Sequence, residues 1–438
     1  MQRLRAACPQ PRADIDGGRT DAPPGPDEGD EPPGQGGPAG QLIAAYRRTL
    51  AGEPPGVPET GDSLVGVWSS GSLVYDRGGV PYLGCGGFGG YTLGYRHPRV
   101  VDAVSRSRTA PARHRGVRCG DESARALLEV CPSALSHVRF TSCGAEAVAA
   151  ALELARRSGR EHVISTSWLD RPPGDDAQGR AAEWEQVAFG DVRALAARLA
   201  ALGPRRATVF VQPARATGGV AVPPPGYLRA VRRACEAHGA LLVLDEIRTG
   251  LGRLGYWWGC ESEDLTPDIL LAGKALGGGV LPVAAMISTR KLAGLTGGGR
   301  APRVSGPLAS DPMAMAAVTA TIAAIRDEDV VARAARLGVR LLSDIRRTMI
   351  RILPGAVREI RGRGLLIGLE FLRQDIARAF TRRLLRERVV AHYTGGARPA
   401  VRFTPPATLT DPEYRWLLRA VEVAARSVHA LALAPAAR

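Results

Sequence analysis

Lysine is nearly missing from this 438-residue chain: Lys274 and Lys291 stand against 56 arginines, in a protein of formal net charge +15. An arginine-only excess in a chain heavy in Ala, Gly and Pro reads as GC-rich coding and a solvated surface. It does not read as a stripe selected to bind nucleic-acid phosphates. Cysteine is sparse as well. The seven cysteines are odd in number and widely spaced, with no C-x-x-C pair and no Cys/His cluster of zinc spacing. That excludes a disulfide framework and a zinc site, and makes a reducing cytoplasm the expected compartment. No apolar h-region follows the N-terminal arginines and no window is apolar enough to span a bilayer, so neither a secretory signal nor a membrane anchor is expected. There is no H-E-x-x-H among the histidines. There is no Walker lysine either, because Lys274 precedes Ala and Lys291 precedes Leu. The chain shows no internal repeat and no heptad run, which sets aside solenoids and coiled coils.

What remains is a globular chain, 45% hydrophobic and 23% charged, long enough for two or three domains. Residues 1–40 hold eight prolines, eight glycines and seven acids against four arginines. They read as an acidic disordered tail, which raises the charge of the folded body to about +18. From about residue 95 the pattern alternates. Residues 145–157, 227–238, 313–326 and 331–350 read as helices, with Gly239 as a stop; residues 208–211, 240–244, 268–272 and 365–370 read as short buried strands. Strands separated by helices predict a doubly wound, mostly parallel α/β sheet. The expected division is a tail (1–40), an N-terminal segment of a small α+β domain (41–94), a large domain (95–311) and the rest of the small domain (312–438).

Three segments carry chemistry. In G-K-A-L-G-G-G, Lys274 follows a buried strand among small apolar neighbours, a setting that partly desolvates the amine and suits a Schiff-base nucleophile. Twenty-nine residues earlier, Asp245 ends the strand L-V-L-D-E, where a carboxylate faces the ligand crevice of a parallel sheet and can hold a pyridine nitrogen protonated. In T-S-C-G-A-E, Gly144 and Ala145 open an Ala-rich helix whose first N–H groups suit an anion. An anion cradle, an acid and a lysine in this order describe a pyridoxal phosphate site. Each segment alone has a plain structural reading as a helix cap, a surface acid pair or a loop lysine. G-C-G-G-F-G at residues 84–89 matches a dinucleotide fingerprint only nominally. The residues after it start no helix, so it reads as a pocket loop. His97, before Pro98, reads as a helix-entry or core histidine.

From about Leu64 onward the sequence resembles the class III, ornithine-type aminotransferases of PLP fold type I. The resemblance rests on S-C-G-A-E-A (142–147), L-L-V-L-D-E-I-R-T-G-L-G-R (241–253) and P-D-I-L-L-A-G-K-A-L-G-G-G (267–279). It is extended by L-G-Y-R-H-P-R-V-V (93–101), G-R-G-L-L-I-G-L-E (362–370) and V-R-F-T-P-P (401–406). The resemblance implies that Lys274 bonds the cofactor and then moves the substrate proton. It further implies that Asp245 pairs with the pyridinium and that Cys143, Gly144 and Ala145 hold the phosphate. Arg402 would take a substrate carboxylate, Phe88 would line the pocket, and the enzyme would be a homodimer with shared sites.

The departures are as informative. Pro307 stands where the family has a phosphate-binding Thr, leaving Ser305 or Ser310 as replacements. Trp168 is the best substitute for a missing stacking aromatic. The family's E-P-x-Q-G-E becomes Q-P-A-R-A-T (212–217), so the acid able to switch the carboxylate arginine off is Thr217. Arg248 replaces the Gln after D-E-V, near the ring's phenolic oxygen. The expectation is an aminotransferase of specialised metabolism, moving an amine from an amino-acid donor to a ketone or aldehyde that is large or carried on a peptide, as in daptide-type clusters. No nucleic-acid or membrane partner is expected. The alternatives are an ornithine, acetylornithine or GABA-type enzyme, an aminomutase, epimerase or decarboxylase, and a non-catalytic homologue.

Overall fold

The computed structural model describes residues 68–87, 89–108, 112–166, 184–204, 206–296, 311–395 and 398–433, all within one compact unit. The acidic tail lies outside them.

The described chain opens on three short strands, β1 (Trp68–Ser70), β2 (Leu73–Tyr75) and β3 (Pro81–Gly84), and then helices α1 (Pro98–Ser107) and α2 (Ala112–Leu128). His97 is the N-cap of α1 without capping it through its side chain, and its Nε2 lies 3.2 Å from Glu328, so it is a helix-entry residue. The next stretch alternates: β4 (Leu135–Thr141), α3 (Gly144–Arg157), β5 (His162–Ser165), β6 (Trp184–Gln186), α4 (Val192–Leu202), β7 (Ala207–Val211), α5 (Tyr227–His238), β8 (Leu241–Asp245), β9 (Ile269–Ala272), β10 (Ala284–Thr289) and the short α6 (Arg290–Ala293). These seven strands form one sheet in the order β4-β10-β9-β8-β7-β5-β6. Strands β9, β8, β7, β5 and β6 are mutually parallel, and β10 runs antiparallel to both of its neighbours. The predicted sheet is therefore present, with one reversed strand.

Period-two alternation builds its core. Val209, Leu242, Leu244 and Leu270 face one side, packed with Leu195 and Leu199 of α4 and Val231 of α5. Phe210, Leu241, Val243, Ile269 and Leu271 face the other, packed with Leu152 and Leu154 of α3. Because both faces are covered, β7, β8 and β9 are buried throughout, which is why they read as unbroken apolar runs.

Two long helices follow, α7 (Pro312–Asp327) and α8 (Val330–Ile352), then β11 (Val357–Arg363), β12 (Leu366–Phe371), α9 (Gln374–Arg386), β13 (Val389–Val390), β14 (His392–Thr394), β15 (Ala400–Phe403) and α10 (Asp411–Ser427). Asp311 caps α7 by accepting from Met313 N and Ala314 N, and Thr410 with Glu413 forms a capping box on α10. A sheet in the order β11-β12-β15-β14 packs its core against α8, α9 and α10 through Leu341, Ile345, Phe380, Leu384, Leu417 and Val421. Strand β13 joins β3 in parallel, Val389 opposite Leu83, so the segment before α1 is tied to the C-terminal third. No helix among the described residues is long and apolar enough to cross a membrane.

The two cores meet where backbones touch. Gly364, at φ +53 in the β11–β12 turn, packs on residues 253–254, and Leu365 N donates 2.9 Å to Arg253 O. On its other side, a Cβ added to Gly338 of α8 would lie 2.2 Å from Gly364 O. Backbone atoms cannot move aside as a side chain can. Gly338→Ala is therefore expected to destabilise the fold by about 1–3 kcal/mol through overpacking, despite the better helix propensity of alanine. A thermal unfolding midpoint unchanged from wild type would contradict this.

Candidate active site

The C-terminal ends of β7, β8 and β9 lie side by side, because Val211 pairs with Leu244 and Asp245 with Leu271. This register brings Gln212, Asp245 and the turn carrying Lys274 to one edge of the sheet. Asp245 is only 5% exposed, yet both its oxygens are hydrogen-bonded: Gln212 Nε2 donates to Oδ2 at 2.8 Å and Ile247 N to Oδ1 at 3.0 Å. The adjacent Glu246 serves a different purpose. Its Oε2 accepts from Thr249 Oγ1 at 2.7 Å and its Oε1 from Cys260 N at 3.1 Å, so it staples the following loop. Burial pushes its carboxyl up to about 8, against the opposing pull of these hydrogen bonds, with the Asp245 charge adding to the rise.

Lys274 differs from the sequence expectation of a partly desolvated amine. Strand β9 ends at Ala272, and a tight turn closed by Leu276 N donating to Gly273 O at 2.7 Å lifts Lys274 out of the packed layer. Gly273 and Ala275 on either side are buried while Lys274 is exposed. The pocket-loop reading of residues 84–89 fits the packing. A Cβ on Gly89 would lie 2.4 Å from Arg248 O, and one on Gly90 would lie 3.7 Å from Lys274 Cβ.

Ile247, an apolar residue with no chemistry of its own to mark it in the sequence, joins the motifs. A Cβ on Gly144 would lie 3.0 Å from its side chain, and one on Gly273 would lie 2.9 Å from its Cγ2. The two glycines thus make the space that lets the start of α3 and the end of β9 close on the end of β8. At the start of α3, Cys143 is the N-cap, with φ −153 and no side-chain cap, and it is exposed like Ala145. The first N–H groups of a helix have no acceptor within it, so the donors of this turn suit an anion.

A second group of cations faces these strand ends from the other sheet. Arg402 on β15 lies opposite Gly368 on one side and His392 on the other, is 2% exposed, and donates from Nη1 to Ala216 O at 2.8 Å. Arg361, opposite Gly368 on β11, donates from Nη2 to Gly219 O at 3.0 Å and from Nε to Val220 O. The two arginines therefore clamp the loop after β7 by its carbonyls, above a residue that has no side chain. Burial, with Arg248 and Arg253 nearby, lowers the Arg402 guanidinium to about 9. Burial, with Arg402 and Arg248, lowers His392 to about 3, which keeps its ring neutral. Thr217, where an acid was expected in the family pattern, has a buried Oγ1 with no hydrogen-bond partner among the described residues.

The structure thus gathers Gly144, Asp245 and the turn of Lys274 around Ile247, sets Arg248 and Lys274 against Gly89 and Gly90, and ties Arg402 to the 214–221 loop. Phe88, Trp168, Ser305, Pro307 and Ser310 lie outside the described residues. The residues present fit pyridoxal phosphate: helix N–H donors for a phosphate, a buried carboxylate for a protonated ring nitrogen, and an accessible amine for an aldehyde.

Comparison with known proteins agrees. The family model for aminotransferase class-III matches residues 171–424. The solved ornithine aminotransferase of Toxoplasma gondii, described with partial occupancy of PLP at its active site, is 26% identical, with a TM-score of 0.77 over 89% of this chain and 95% of that one. The acetylornithine aminotransferase of Elizabethkingia anophelis is 23% identical, with a TM-score of 0.77 over 89% and 99%. A transaminase from the marine bacterium Virgibacillus is 20% identical, with a TM-score of 0.78 over 89% and 99%.

Glu246 generates a pH prediction. Its folded value of about 8 exceeds the ordinary 4.5, so the native state binds a proton that the unfolded chain has released. Stability from this group is full below about 4.5 and declines as pH rises towards about 8. Unfolding measured at a series of pH values should show that decline in the wild type relative to Glu246→Gln. Parallel profiles for the two proteins would sink the assignment.

Proposed function

The chain belongs to the class III aminotransferases, enzymes that use pyridoxal phosphate, and we propose that it moves an amino group from an amino-acid donor to a ketone or aldehyde acceptor of specialised metabolism, large or borne on a peptide. The observation that carries this finer reading is the neighbourhood of Arg402. Its clamp runs to the Ala216 carbonyl, and Thr217 stands where an acid would pair with it in an ornithine-type switch. Threonine at position 217, where the ornithine-type pattern has the switching acid, favours an acceptor site unlike that of ornithine or acetylornithine enzymes. We further propose a homodimeric cytoplasmic enzyme with the cofactor in residues 95–311, and a smaller domain from residues 41–94 and 312–438.

When bound, pyridoxal phosphate supplies an aldehyde that condenses with amines and a ring that takes up the electron pair released as the substrate Cα–H bond breaks. The side chains have separate tasks. Lys274 is an exposed lysine at the strand ends; it anchors the cofactor and, once displaced, serves as base and then acid for the proton at the substrate carbon. Asp245 holds a proton on the ring nitrogen. The N–H groups at Gly144 and Ala145 orient the phosphate. Arg402 takes a carboxylate in a fork geometry that lysine cannot copy, and neutral His392 beside it adds no further repulsion.

Purified wild-type protein should carry a visible cofactor band that bleaches on addition of an amino donor. Lys274→Ala should abolish the turnover-linked bleaching and lower activity by roughly a thousandfold or more. Protein that takes up no pyridoxal phosphate would refute the reading. Arg402→Gln should raise the KM for carboxylate-bearing donors about ten- to a hundredfold while leaving amines without a carboxylate little changed. Equal losses for both donor classes would remove Arg402 from carboxylate binding. A panel of donors against ketones and aldehydes, a C-terminal peptide ketone included, tests the acceptor. Preference for ornithine or acetylornithine would overturn the specialised reading.

A further inference from the structure

Gln212 follows Val211, the last residue of β7, whose register partner is Leu244, so it stands beside Asp245 at the edge of the sheet. It is buried, 6% exposed, and its Nε2 lies 2.8 Å from Asp245 Oδ2. A carboxylate accepts only, so the amide must present its nitrogen here. Its Oε1 is then left buried without a hydrogen-bond partner among the described residues. The fold thus holds this side chain for its donor end, at the expense of its acceptor end. With Ile247 N on Oδ1, the two donors fix the rotation of the carboxylate and favour its charged form. A glutamate at position 212 would set a second carboxylate at hydrogen-bond distance, and the pair would have to share a proton. Glu246, the other acid next to Asp245, is turned to Thr249 and Cys260 and does not compete for this role.

We propose that Gln212 is the positioning residue for Asp245: its donation to Oδ2 presents an oriented, ionised carboxylate to the cofactor ring, so that the ring nitrogen is bound protonated. This rests on the pyridoxal phosphate reading of the site, and the test separates the two. Apoprotein is titrated with pyridoxal phosphate and with the analogue in which a CH group replaces the ring nitrogen, binding being followed by quenching of tryptophan fluorescence. Failure of the wild type to bind pyridoxal phosphate would remove the cofactor reading itself.

Given wild-type binding, Gln212→Leu should weaken pyridoxal phosphate about tenfold, the loss of one charge-assisted hydrogen bond, and change the analogue by less than about twofold. In an Asp245→Asn background the same substitution should change pyridoxal phosphate affinity by less than about twofold, because the partner charge is gone. Gln212→Met, near in size and without the donor, is the second variant, and the protein that keeps wild-type circular dichroism decides the matter. Equal weakening of both ligands, a loss that persists in Asp245→Asn, or no loss for pyridoxal phosphate overturns the proposal.

Discussion

The side chain of Ile247, seated in space left by Gly144 and Gly273, is the contact on which the arrangement of the site depends. Three chain segments far apart in sequence end on this residue: the turn into α3, the end of β8 and the end of β9. A methyl group on either glycine would meet the isoleucine at 2.9–3.0 Å, and the segments would have to move apart. The phosphate-type donors, the acid and the lysine are brought to one place because this half-buried apolar contact is close. Ile247 also supplies the backbone N–H that holds Asp245 Oδ1, so packing and electrostatics are set by the same residue.

Around that contact the fold places ionisable groups where water cannot screen them, and each is handled differently. Asp245 keeps two hydrogen-bond donors. Glu246 holds its proton to about 8. Arg253, fully buried, is lowered to about 10 by its burial and gives Nη1 to the carbonyls of Leu365 and Pro405. Arg402 gives Nη1 to Ala216. Main-chain carbonyls carry a partial charge only, so as partners they neutralise a guanidinium less than a carboxylate does. A site walled by such cations favours an anionic ligand, which fits both a phosphate-bearing cofactor and a carboxylate donor.

Much of this was legible in the residues. The helix at Tyr227–His238, with Gly239 ending it in a left-handed conformation, and the buried strands at β7, β8 and β9 followed from local pattern, because burial on two faces leaves an unbroken apolar run. Strand β10 has no such local signal, and it is the strand that reverses; nothing in A-A-M-I-S-T encodes direction, which pairing with β4 and β9 decides. Ile247 looked like one more apolar residue in a motif, and its role exists only once two glycines from elsewhere approach it. The motif marks Gln212 only as a departure from the family, while its bond to Asp245 is a matter of register between neighbouring strands.

Lys274 shows how local reading and structure differ in kind. Its neighbours are buried, and their character predicts a desolvated amine; the turn at Gly273–Leu276 instead leaves the lysine exposed between them. The buried acid and the exposed lysine are complementary demands. Asp245 must hold one charge in one orientation, which burial and two donors enforce. In the proposed reaction Lys274 leaves the cofactor and returns as a proton carrier, a role that an exposed position on a turn suits. The strand end supplies the buried group and the turn the exposed one, and their separation along adjacent strands, Asp245 opposite Leu271 three residues before the lysine, suits both to one ligand.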